Sequence, residues 1–66
     1  MQVKFDNQVK EWQKRKRVKD ILEAFGLNRE EVIVVRDDTL LTENDWVEVD
    51  DKVEIWRVVS GGAPGD

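Results

Sequence analysis

The chain has 66 residues, of which 15 are acidic and 11 basic, giving a formal net charge of −4 at pH 7. It contains neither cysteine nor histidine. These counts exclude disulfide staples, thiolate–zinc sites and histidine-centred triads, and the acidic balance argues against a stand-alone nucleic-acid binder.

A chain of this length predicts one domain, burying about 60% of its unfolded surface and dependent on one economical core. No apolar run reaches the roughly 18 residues of a membrane span. The N-terminal MQVKFDNQ lacks the apolar stretch of a secretion signal. A soluble, cytoplasmic protein is expected, monomeric when free.

Met1, Val3 and Phe5 alternate with Gln2, Lys4 and Asp6, the period-2 pattern of a half-covered strand. Asp6-Asn7-Gln8 supplies turn chemistry, and residues 9–13 read as the second strand of a hairpin. Val9 and Trp12 fall on opposite faces there, with Trp12 expected toward the core and Val9 at the turn margin.

The period then changes. Val18, Ile21, Leu22 and Phe25 recur at i, i+3, i+4 and i+7, one apolar stripe on a helix over residues 17–25. No Ser, Thr, Asp or Asn stands at its start to cap it. Gly26 suits the left-handed position after its end, with Leu27 placed to fold back.

Residues 32–35, VIVV, form a β-branched run typical of a strand covered on part of both faces. Asp37-Asp38-Thr39 turns the chain into a short edge strand at Leu40-Leu41. A further turn over residues 42–45 leads to Trp46-Val47, and Asp50-Asp51 turns into a last strand over residues 53–59. The predicted order is β-β-α-β-β-β, a mixed sheet of about five strands with one main helix on one face, an α+β fold. The crossover through the helix is expected to lay the middle strand parallel to the first, or near it.

In the last strand Val53 and Ile55 share one face, and Glu54, Trp56 and Val58 the other. Placing the helix on the Val53/Ile55 side turns Trp56 and Val58 outward. By the same reasoning Ile33 and Val35 point inward and Val32 and Val34 outward. Val34, Trp56 and Val58 thus make a candidate docking patch beside the C-terminal segment. Against that stands the ordinary occurrence of single exposed apolar residues.

Lys14-Arg15-Lys16-Arg17 is the one basic run. It reads as a solvated turn between strand and helix, with contact to phosphate or to an acidic partner groove as the functional alternative. Its position at a helix N-terminus is electrostatically unfavourable. The pairs Asp37-Asp38 and Asp50-Asp51 match no calcium-loop spacing, so no metal site is predicted. Without a Gly-rich loop opening a helix, or an activating base beside Ser60, no catalytic constellation assembles.

The element order and the ending VVSGG over residues 58–62 resemble the ubiquitin-like β-grasp sulfur carriers. That group includes small proteins of thiamine and molybdopterin synthesis, of tRNA 2-thiolation, and the small archaeal modifier proteins. The likeness rests on VKDILEAFGLNREEVIVVRDDTLLTENDW, on VDDKVEI and on the closing VVSGG. It implies a β-grasp domain over residues 1–60 and a Gly-Gly tail over 61–66 that includes a four-residue extension.

The resemblance implies that Gly62, with Gly61 as its neighbour, is the activated end. An E1-like adenylyltransferase, using ATP, would adenylate the Gly62 carboxylate. A sulfur donor protein would convert it to a thiocarboxylate, and a downstream thiolation or synthase enzyme would receive the sulfur. Trp56, six residues before Gly62, matches the apolar position that meets the partner enzyme. Residues 63–66 depart from the pattern and imply a processing protease, since Gly62 has no free carboxylate while they remain. Within the group, tRNA thiolation fits best, with isopeptide modification of other proteins as an added role. Thiazole synthesis and then molybdopterin synthesis follow. From other classes, a non-covalent ubiquitin-like binding module and an RNA binder acting through residues 14–17 remain as alternatives.

Overall fold

The computed structural model describes residues 1–58. The predicted α+β architecture is present, with seven strands among the described residues where about five were expected. Strands β1 (Gln2–Phe5) and β2 (Gln8–Glu11) form the first hairpin. A two-residue strand β3 (Lys16–Arg17) leads directly into helix α1 (Val18–Phe25), and a 3₁₀ turn (Arg29–Glu31) precedes β4 (Val32–Arg36). Then come β5 (Thr39–Leu41), β6 (Trp46–Val47) and β7 (Lys52–Arg57).

The main sheet has the order β2-β1-β7-β4-β5, and β3 pairs with β6 in a small separate ladder. Among the described residues only β1 and β7 pair in parallel. This corrects the expected parallel placement of the middle strand: β4 pairs antiparallel to β7 and is not a neighbour of β1. The parallel partner of the first strand is the last one, because the chain reverses again through β5 and β6 before it enters β7.

Both hairpin turns place an aspartate in the left-handed region, Asp6 at φ 53° and Asp37 at φ 57°. Aspartate tolerates this because its short side chain bonds locally. The core lies between α1 and one face of the sheet. Val3, Phe5, Val34, Val53 and Ile55 from the sheet meet Val18, Ile21 and Leu22 from the helix, all buried. Each such side chain contributes about 1.5–3 kcal/mol by leaving water. Phe25 closes the end of the stripe, edge-on to Phe5 at 5.9 Å and to Trp12 at 6.4 Å. Trp12 packs against the core and Val9 is exposed, as expected, although β2 stops at Glu11.

The helix ends as the sequence predicts. Gly26 adopts φ 74°, the Gly26 N–H donates to the Glu23 carbonyl, and the Leu27 N–H donates to the Leu22 carbonyl. This paired arrangement satisfies carbonyls that the helix would otherwise leave open. At the other end no side chain caps α1. The turn at residues 42–45 does that work through its backbone. The Val18 N–H donates to the Asp45 carbonyl and the Lys19 N–H to the Glu43 carbonyl, each at 3.0 Å.

Candidate functional site

The antiparallel register of β4 on β7 decides which side chains look outward. Val34 lies opposite Ile55, and Ile33 opposite Trp56. Residues directly opposite share a face. Ile55 faces the helix, so Val34 must face it too. This corrects the predicted docking patch: Val34 is 3% exposed and belongs to the core, with Val32 beside it at 6%. A uniform run of β-branched residues carries no alternation to set its phase, so the sequence left the two choices equal. Pairing with a strand of known phase settles it.

Trp56 and Val58 are exposed as predicted, Trp56 at 56%. The residues missed by sequence reasoning are Ile33, Val35 and Leu40. Ile33 stands across from Trp56, and Val35 pairs with Leu40 on the next strand. Leu40, at 63%, is the most exposed large apolar residue among those described. The signal that would have found it was available: Leu40 and Leu41 alternate, and only one of them can enter the core. Ile33, Val35, Leu40, Trp56 and Val58 therefore form one apolar strip across the side of the sheet that the helix does not cover.

The strip reaches Val58, the last described residue. The Val58 N–H donates to the Glu31 carbonyl at 2.8 Å, extending the β4–β7 pairing one step past β7. On the other flank, Arg57 lies 3.7 Å from the Asp6 carboxylate and stacks over the Phe5 ring at 5.0 Å. Val58 is thus held at the root of the segment that leads to the glycines. Gly61 and Gly62, the expected activation site, lie outside the described residues, as do Val59, Ser60 and residues 63–66.

The basic run is neither a loose turn nor a free patch. Lys16 and Arg17 pair with Val47 and Trp46 as β3 on β6. The guanidinium groups of Arg15 and Arg17 lie over the Trp46 ring at 4.0 and 4.5 Å. Arg15 also meets Glu48 at 3.3 Å, and Arg17 donates to the Asn44 carbonyl at 3.0 Å. The run lies along the acidic stretch 43–51, and cation–π stacking and opposite charge hold the two together. Lys16 lies over Trp12 at 5.8 Å. This is the structural return for placing cations at the start of α1: the ladder they build brings in the carbonyls that cap the helix. The run sits at the end of the sheet opposite Val58, so the structure does not join it to the Trp56 strip.

Asp51, half of a predicted acidic turn, is committed to structure. Its Oδ2 accepts from Arg36 Nη1 at 2.9 Å and from the Glu48 N–H at 2.8 Å. Arg36 Nη1 also donates to the Trp46 carbonyl at 3.0 Å. Arg36 has the inward parity of Val32 and Val34, and reaches past the sheet end to find these partners.

A mixed five-stranded sheet grasping one helix, with an apolar strip along its last strand, defines a ubiquitin-like β-grasp protein. Comparison with known proteins agrees. The small archaeal modifier protein 2 family matches residues 2–59, and the chain belongs to that family. It is also 42% identical, over 45 residues, to the sulfur carrier protein TtuB of Thermus thermophilus, a match spanning 68% of this chain and 69% of that protein. No helix among the described residues is long and apolar enough to cross a membrane.

Proposed function

We propose that the protein carries sulfur as a thiocarboxylate on Gly62 and serves other enzymes as a protein co-substrate rather than as a catalyst. The observation that carries this reading is the exposed Ile33/Trp56/Val58 strip, whose last member stands four positions before Gly62 in the chain, in a chain of the modifier family with a sulfur carrier among its relatives.

The chemistry follows from the residues at that end. A protease first cuts between Gly62 and Ala63, freeing the Gly62 carboxylate. An E1-like adenylyltransferase docks on the strip, and the carboxylate attacks the α-phosphate of ATP, releasing pyrophosphate and forming an acyl-adenylate. The terminal sulfur of a donor protein's persulfide then attacks the carbonyl carbon and displaces AMP, and a thiol reductant cleaves the S–S bond of the resulting acyl disulfide, leaving a thiocarboxylate with sulfur in place of one oxygen. Glycine suits this end because it has no side chain to block the tail's passage through a narrow channel or the approach to the carbonyl. The sulfur rides on the carboxyl carbon, so the carrier needs no cysteine.

The most fitting destination is tRNA 2-thiolation in the cytoplasm, through a downstream thiolation enzyme. Isopeptide attachment to lysines of other proteins is a second outlet for the same activated end. ATP–pyrophosphate exchange with the E1-like enzyme of the same genome tests the reading. Deleting residues 63–66 should switch exchange on in the purified system, because Gly62 has no free carboxylate while they remain. No exchange after that deletion would overturn the proposed processing step.

A further inference from the structure

The strip has a rim, and the rim is acidic. Glu30 and Glu31 end the 3₁₀ turn beside Val58, Asp37 and Asp38 make the turn joining Val35 to Leu40, and Glu54 pairs with Val35 in the next strand. All five are exposed. None of them takes part in the ion pairs found among the described residues, where Arg29 is held by Glu43, Arg36 by Asp51 and Arg57 by Asp6. Two lysines share this face. Lys4 is the register partner of Glu54, and Lys52 shares a shallow depression with Asp37. Five carboxylates against two lysines leave the face negative, while residues 14–17 lie at the far end of the sheet.

The strip ends at Val58, only four positions before Gly62 in the chain, so an enzyme that takes Gly62 comes within reach of the strip. We propose that the enzyme receiving the Gly-Gly end meets this face with an apolar centre ringed by lysine and arginine. The rim of Glu31, Asp37, Asp38 and Glu54 sets the association rate and selects against partners with a neutral or acidic counter-surface. This inference rests on the sulfur-carrier reading and adds the charge of the partner to it. Charge around a docking patch acts chiefly on encounter, while the apolar centre acts on dissociation. The two contributions therefore separate in kinetics.

The test is stopped-flow association of the chain ending at Gly62 with the E1-like adenylating enzyme of the same genome, at low and high salt. The wild-type rate should fall steeply with ionic strength. Glu31→Gln/Asp37→Asn/Asp38→Asn/Glu54→Gln removes the rim charge, and asparagine at 37 keeps a residue suited to the left-handed backbone. It should slow association about tenfold or more at low salt and flatten the salt slope. Glu31→Lys/Asp38→Lys, which shifts the charge by the same four units with half the substitutions, should slow association and flatten the slope likewise. Lys14→Gln at the far end should leave both unchanged. Tryptophan fluorescence and circular dichroism verify that each variant is folded. Unchanged association rate and salt slope in both rim variants would overturn the proposal. If Trp56→Ala still weakens binding in that case, the docking reading survives and only the charge inference falls. If Trp56→Ala also binds normally, the docking reading falls with it.

Discussion

The two faces of the sheet are built from similar side chains and put to different uses. On the inner face Val3, Phe5, Val34 and Ile55 are each at most 5% exposed. On the outer face Ile33, Leu40 and Trp56 are 39–63% exposed. With one helix available, only one face is covered, and a chain this small gains nothing in stability from apolar residues on the other. Leaving a contiguous strip there carries an association hazard, which makes sense if a partner covers it. The inner face holds the fold together, and under the proposed function the outer face meets the partner.

Substitutions break this comparison at different points. The largest effect is expected at Gly62. Gly62→Val should abolish ATP–pyrophosphate exchange, a loss of at least about 100-fold, from misplacement at the reacting carbon. Thermal unfolding should be unchanged. On the inner face, Ile21→Ala should lower stability by about 2–5 kcal/mol in chemical denaturation, because Ile21 is fully buried against the sheet. Below its lowered melting point its activation kinetics should match wild type.

On the outer face, Trp56→Ala should show the reverse. Stability should move by no more than about 0.5 kcal/mol, while KM for the activating enzyme rises about 30-fold, the lower end of an interface hot spot. The smallest effect is expected at Gly26→Ala. No atom lies within 4 Å of the added Cβ, so only the left-handed backbone is penalised, by about 1 kcal/mol. Denaturation reads that change, and docking should not sense it.

Much of the fold was legible in the residues. The stripe Val18/Ile21/Leu22/Phe25 gave the helix, Gly26 gave its end, and alternation in the first and last strands gave their faces. What failed was the phase of 32–35, where four β-branched residues in a row show no period. Arg36 does not help to set it, because it shares the buried parity and escapes only by reaching Asp51 and Trp46 at the sheet end. That one ambiguity exchanged Val34 for Ile33 in the docking patch. The β3–β6 ladder was hidden for another reason: two residues carry no periodic signal, and its hold comes from arginines stacked on Trp46 and paired with an acidic stretch some 30 positions away. Long-range contacts of that kind are a property of the fold and leave no local pattern.

The comparison sharpens most at the tail, where the outer strip leads. The most direct test is an intact mass of the untagged protein taken from its own cells, with sulfur-preserving handling. A chain ending at Gly62 with one oxygen replaced by sulfur is the expected result. A population ending wholly at Asp66, with no processed fraction, would contradict sulfur carriage and leave a non-covalent binding module working through the Ile33/Trp56 face.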